Sequence, residues 1–229
     1  MDQQYQFLET LDVDAVLKGQ GADPEMIAQR TPGLLKIAQS ALDLGLHLVE
    51  PANFRKSFSI AFRDEKDMLV ENGMQLTSKR IVEILRGAEA VELVVCTIGE
   101  KLENLSMSYF STDAALALAL DGLANAAIDH LTESICCQID LDALSEGLKT
   151  SLPISPGSDD WLLEIGQPAI FNAIKPDPGI IKLNESFLMI PKKSASFMVG
   201  IGGKMAEKGR TCDFCNARET CRYRLRKRF

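Results

Sequence analysis

Histidine, aromatic residues and long apolar runs are all scarce in this sequence. Only His47 and His130 occur in 229 residues, which leaves no multi-histidine metal site and no visible Ser-His-Asp grouping. Aromatic residues make up 6% and are not interleaved with a basic face, so no nucleic-acid-binding surface is expected. No apolar run approaches the roughly 20 residues of a membrane span. The polar, acidic opening over 1–14 reads as neither a signal nor a transit peptide. These absences predict a cytoplasmic protein with no membrane and no nucleic-acid partner. Gly200, Gly202 and Gly203 follow a strand-like run but fit no phosphate-binding or dinucleotide fingerprint. There is no internal repeat and no low-complexity tract.

What is present is ordinary for a globular domain: 46% hydrophobic and 25% charged residues, in a chain long enough to bury a core without disulfides. The net charge of −7 hides an asymmetry. Residues 204–229 hold nine Lys/Arg against three Asp/Glu, or +6, so the rest stands at −13. A solvated basic tail on an acidic body is the plain reading.

Asp23-Pro24 and Thr31-Pro32 each place a side-chain acceptor before a proline and predict two helix starts. In the second helix Leu34, Leu35, Ala38, Leu42 and Leu46 form one stripe, and Pro51 marks its end. Residues 57–62 alternate like a half-buried strand. Thr77 or Ser78 can cap a short helix that carries Ile81, Ile84, Leu85 and Ala88. Residues 91–98 are a β-branched run fit for a buried strand. A long alanine-rich helix, from about Thr112 to Cys137, carries Leu116, Leu120, Leu123, Ala127, Leu131 and Ile135 at helical spacing. Asp121, Asp129, His130 and Glu133 interrupt its apolarity, so it is expected to fall short of a membrane segment. After Lys149 the chain is punctuated by Pro and Gly, and 194–201 reads as a last strand. Long helices with separated strands predict an α+β fold. The expected division is an N-terminal helical extension over 1–35, an α+β domain over 36–203 and a basic Cys-rich tail over 204–229.

Cys212, Cys215 and Cys221 form a C-x2-C-x5-C arrangement. Two thiolates separated by two residues can turn toward one ion while the third closes the site, which suits zinc or an iron–sulfur cluster. Arg210, Arg218, Arg222 and Arg224 would offset the charge of such a cluster. The fourth ligand is open among Cys136, Cys137, His130, Asp213 and an exchangeable small molecule, and three unligated thiols are the plain alternative. Cys96 reads as core, and at most one of Cys136 and Cys137 can face the tail.

Across 78–201 the sequence resembles the activation domain of cobalamin-dependent methionine synthase and its free-standing homologues. The first match is carried by SKRIVEILRG, VELVVCTIGEKLE and ALDGLANAAIDHL within 78–131. A second runs through Ser155-Pro156-Gly157, the segment beginning at Trp161, the stretch from Leu183 to Pro191 and Ser194 to Phe197. The resemblance implies an α+β domain whose long helices pack beside a twisted antiparallel sheet. It would dock over a corrinoid-binding protein or methionine synthase subunit, presenting S-adenosylmethionine to cobalt of a cobalamin held by that partner. In the family, one electron from an electron-donor protein reduces Co(II), and the sulfonium methyl group traps the Co(I) formed.

By the same resemblance Asp129, Ser155, Pro156, Gly157 and Glu185 are candidate cofactor-binding residues. Each also has a simpler reading: a solvated helix carboxylate for Asp129, a turn needing no ligand for the Pro-Gly loop, and loop orientation for Glu185. Where the family has an arginine three residues before the Pro-Gly and a tyrosine directly after it, this chain has Pro153 and Ser158. A guanidinium that could pair with the methionine carboxylate is thereby lost. The expected function is an accessory or reactivation protein for corrinoid-dependent methyl transfer with a Cys-ligated centre. The alternatives are a non-catalytic docking module with a structural zinc knuckle, and a small redox or metal-handling protein sharing only the fold.

Overall fold

The computed structural model describes residues 3–158 and 161–206. After a 3-10 segment over Gln3–Thr10, three helices follow: α1 (Val13–Gly19), α2 (Pro24–Arg30) and α3 (Gly33–Gly45). Asp12 and Asp23 cap the first two, Asp12 accepting the Ala15 N–H and Asp23 those of Glu25 and Met26, and Pro24 occupies the first position of α2. Thr31 does not cap α3. It ends α2 instead, its N–H donating to the Ile27 carbonyl, and Pro32 stands at the start of α3 without a side-chain cap. The α3 helix stops at Gly45, ahead of Pro51, and a short 3-10 turn fills the gap.

The sheet has six strands, ordered β3-β2-β1-β4-β8-β5 and antiparallel throughout. Its members are β1 (Ala52–Arg63), β2 (Asp67–Val70), β3 (Gln75–Thr77), β4 (Ala90–Thr97), β5 (Lys149–Thr150) and β8 (Ser194–Gly202). β1 is twice the expected 57–62. Its first eight residues pair with β4 from Ala52↔Thr97 to Ser59↔Ala90, and its end pairs with β2 from Ile60↔Val70 to Arg63↔Met68, with a register shift between Ile60 and Phe62. That bulge places an extra residue of β1 opposite β2, while the other edge of β1 pairs with β4. A small hairpin, β6 (Lys182–Leu183) with β7 (Met189–Ile190), stands apart.

Four further helices complete the described residues: α4 (Lys79–Ile84), α5 (Lys101–Tyr109), α6 (Ala114–Ser145) and α7 (Leu163–Ile174). Ser78 caps α4 as the sequence predicts, accepting from the Ile81 N–H at 3.2 Å. α6 begins at the Asp113 cap and runs eight residues past Cys137, ending where Gly147 adopts a positive φ. By length and composition it is a helix that could cross a membrane, contrary to the expectation from its charges. Its buried face, however, is the centre of a protein core.

Helices cover both faces of the sheet. Along β4, Val94 and Cys96 point to one side with Phe197 and Val199 of β8, where they meet Leu120, Leu123, Leu131 and Ile139 of α6. Val91, Leu93, Val95 and Met198 point to the other side, with Leu85, Trp161 and Ile170. This explains why β4 reads as a continuous apolar run rather than an alternation: both of its faces are covered. Each fully buried leucine contributes about 1.5–3 kcal/mol to such a core. Phe7, Leu11, Val16 and Leu17 of the first 35 residues join the α6 side of it. Glu92 faces α6 among these apolar neighbours and is held by Arg55 at 2.9 Å, whose guanidinium also reaches Asp142 on α6 at 3.3 Å.

Candidate functional site

The Pro-Gly loop, α7, the β6–β7 hairpin and the start of β8 converge on a cavity of about 460 Å3, lined by Ser155, Pro156, Leu163, Gln167, Leu188 and Ser196 together with Met189, Lys192, Ser194 and Ala195. Its lining is mainly apolar, and its size is within the range of small-molecule sites.

Each wall has a local cause. The loop is closed on itself: the Gly157 N–H donates to the Trp161 carbonyl at 2.7 Å, Gly157 takes a positive φ, and the Ser158 hydroxyl donates to the Ser155 carbonyl. Trp161 is buried and lies on Gly166 of α7. A Cβ at Gly166 would stand 2.7 Å from the indole and 2.8 Å from Pro156 Cβ, so only glycine lets loop, indole and helix meet this closely. At the next residue, buried Gln167 accepts a short hydrogen bond from the Ser196 hydroxyl, tying α7 to β8. On the opposite wall Asn184 shapes the hairpin: its Oδ1 accepts the N–H groups of Ser186 and Leu188, both at 2.9 Å, and Phe187 takes a positive φ.

A second cavity, of about 380 Å3, adjoins the first through Lys192 and Ser194. It lies between α5, α6 and the 192–194 segment, with Glu103, Asp121, Asn125 and Lys193 supplying its charge and polarity. Two ion pairs cross it. Lys192 Nζ is 2.7 Å from Glu103, and Lys193 Nζ is 2.6 Å from Asp121 and 2.7 Å from the Asn125 carbonyl oxygen. Glu103 raises the pKa of Lys192 by hydrogen bond and by charge.

Of the sequence-predicted residues, Ser155 and Pro156 line the larger cavity, and Gly157 makes the turn behind them. Glu185 is at the exposed tip of the hairpin, outside the lining of either cavity. Asp129 is on α6, also outside both linings. It is exposed, yet neighbouring protein displaces enough water to raise its pKa, an effect opposed by His130, increased by Glu133 and opposed again by Lys193. His130 itself meets the Thr10 hydroxyl at 2.6 Å. Cys212, Cys215 and Cys221 lie outside the described residues, and no group of three or more metal-ligating side chains occurs among the described ones. Cys96 is buried core, its thiol pushed up to about 12 by desolvation. The sequence reading missed Lys192 and Gln167. The Lys192-Lys193 pair just before a buried strand was the available signal for the first, while nothing local distinguishes the second.

No protein-family model matches the chain, and no curated protein matches it by sequence. Among solved structures, the MetH reactivation domain bound to AdoHcy superposes with a TM-score of 0.59 at 14% identity, over 87% of this chain and 76% of that one. The chain has the fold of the MetH reactivation domain. The α+β architecture and the resemblance read from residues 78–201 therefore agree with the three-dimensional comparison. At this identity the likeness to the MetH domain is one of fold, and what the cavity binds must be argued from its own residues.

Proposed function

We propose that the chain binds S-adenosylmethionine, and its demethylated product S-adenosylhomocysteine, in the larger cavity, and serves as an accessory protein for a corrinoid-dependent methyltransferase in the cytoplasm. The observation that carries this reading is the cavity itself: an apolar recess of about 460 Å3 built against the Ser155–Gly157 loop, in a fold whose solved relative is bound to AdoHcy. Pro156, Leu163, Leu188 and Met189 suit a nucleoside face. The Ser194 and Ser196 hydroxyls, which donate to the Pro191 carbonyl and to Gln167, keep oxygen lone pairs to accept from a ligand, and Lys192 offers a cation. Bound there, S-adenosylmethionine would supply an electrophilic methyl group. The part of these residues is to hold the donor in one orientation and exclude water around it.

The hairpin that walls the cavity carries Phe187, Leu188 and Ile190, which are 38%, 52% and 40% exposed. Apolar side chains grouped at a cavity mouth suit a covering partner, which in this proposal is the corrinoid-binding protein. The Cys212, Cys215 and Cys221 motif supports a further element of the proposal, a zinc or iron–sulfur centre in the tail, on spacing alone.

A docking module that binds no donor is the second reading. It is favoured by the loop's own chemistry: Ser158 spends its hydroxyl on the Ser155 carbonyl, and Pro153 offers no donor. Calorimetric titration of the full chain with S-adenosylhomocysteine separates the two. Saturable one-to-one binding supports the donor site; its absence, with unimpaired capture of a corrinoid protein, supports the docking module. If binding is found, the protein with S-adenosylmethionine and a reductant is expected to quicken methylation of a Co(II) corrinoid protein.

A further inference from the structure

Lys192 is the one cation among the described residues that line the larger cavity, and it also lines the smaller one, where its ammonium rests on Glu103. The partners differ in freedom. The Glu103 side chain is 15% exposed, and its second oxygen accepts the Lys192 main-chain N–H at 3.3 Å, whereas the Lys192 side chain is 73% exposed. The carboxylate is thus fixed and the ammonium is the movable member. An ion pair with so exposed a lysine holds it weakly, and little is lost when another carboxylate takes its place. Neighbouring Lys193 has no such freedom: it is 17% exposed, bound to both Asp121 and Asn125, and lines only the smaller cavity.

We infer that Lys192 anchors the carboxylate of the ligand's amino-acid end, leaving Glu103 to do so. The inference rests on the reading of the larger cavity as an S-adenosylmethionine site and names the residue that fixes which end of the ligand faces β8. The Pro-Gly loop brings no cation of its own to this cavity, so the charge comes from the opposite wall. A ligand so anchored has its polar end at the partition between the two cavities and its nucleoside against Pro156, Leu163 and Leu188.

The test compares S-adenosylhomocysteine with 5′-methylthioadenosine, which keeps the nucleoside and thioether but lacks the carboxylate and amine. Dissociation constants are measured by calorimetry on the full chain and on Lys192→Gln, Lys192→Arg and Glu103→Gln. Loss of a charge-assisted contact predicts binding of S-adenosylhomocysteine about tenfold weaker or more in Lys192→Gln, with 5′-methylthioadenosine within about twofold of the parent. Lys192→Arg restores most of the affinity, and Glu103→Gln, which removes the competing carboxylate, binds S-adenosylhomocysteine at least as tightly as the parent. Unchanged binding in Lys192→Gln, equal weakening for both compounds, or weaker binding in Glu103→Gln overturns the anchor while leaving the cavity reading in place. A parent chain that binds neither compound overturns the cavity reading and the anchor together.

Discussion

Gly19 of α1 and Gly122 of α6 meet backbone to backbone: a Cβ on Gly19 would stand 2.0 Å from the Gly122 carbonyl oxygen, and one on Gly122 would stand 2.7 Å from the carbonyl oxygen of Val16. Asn125 fixes the crossing, its side-chain amide donating to the Gly19 carbonyl at 3.0 Å. Small residues at a helix crossing permit this approach, and no rotamer change relieves a clash with a main-chain oxygen. Gly122→Ala is therefore expected to lower stability by about 1–3 kcal/mol despite the better helix propensity of alanine. Urea unfolding followed by circular dichroism reads this. A neutral result would mean that α1 can move away at no cost.

Gly166 bears on ligand binding rather than on the helix crossing. Because Trp161 and Pro156 both occupy the space of a side chain there, Gly166→Ala is expected to push the Ser155–Gly157 loop and weaken S-adenosylhomocysteine binding severalfold. Intrinsic fluorescence of Trp161, the single tryptophan, reports the displacement. Altered fluorescence with native affinity would show that the loop is not part of the site.

The raised pKa of Asp129 has a sign that can be tested. A carboxyl whose pKa is higher in the folded state contributes stability that is fully present below its unfolded pKa, about 3.9, and is lost as pH rises through the folded value. Asp129→Asn should accordingly match the parent's melting temperature below about pH 4 and equal or exceed it at pH 7. A variant clearly less stable than the parent at pH 7 would reveal a carboxylate that the fold or a ligand requires in its charged form.

Thiol chemistry should follow burial. Cys96 is sealed between β-sheet and α6 with its thiol held protonated, while Cys137 is exposed. Brief treatment with iodoacetamide, mapped by mass spectrometry, is expected to label Cys137 in the native protein and Cys96 only after unfolding. Rapid native labelling of Cys96 would show that this part of the core opens readily.

The cysteine motif predicts stoichiometric metal. Anaerobically purified protein should carry either zinc or iron with sulfide, lost in Cys212→Ala. Protein that stays free of both after reconstitution would remove the metal from the functional proposal.

Much of the centre of the fold was legible in the sequence because its physical signals are local. The β-branched run of β4, the Ser78 cap and the alanine-rich α6 each declare themselves within a few residues. The elements that escaped notice lack such signals. α5 buries only Leu102 and Ser106, too few for a stripe. α7 contains Pro168, which reads as a breaker. The first half of β1 hides behind Arg55 and Lys56, whose charges suggest solvent although Arg55 is paired with Glu92 at the α6 face. The β2–β3 hairpin did carry a signal, Asn72-Gly73, with Gly73 at positive φ. The cavity was legible only at the Pro-Gly loop and in part of the β8 segment. Its walls come from four stretches between 155 and 196, and their convergence, including the place of Lys192 between two cavities, is a tertiary fact.

The sheet ends on one side in the three residues of Gln75–Thr77 and on the other in the two residues of Lys149–Thr150. Open strand edges are where one chain can add to the next, and a ribbon of two or three residues offers too few main-chain groups to template a partner. The strongly apolar β4 is paired along its whole length with β1 on one edge and β8 on the other, whereas β8 meets β5 only at Ile201 and Gly202 and β1 meets β2 only near its end. The segment with the greatest tendency to aggregate is thereby withheld from other copies of the chain for as long as the fold persists.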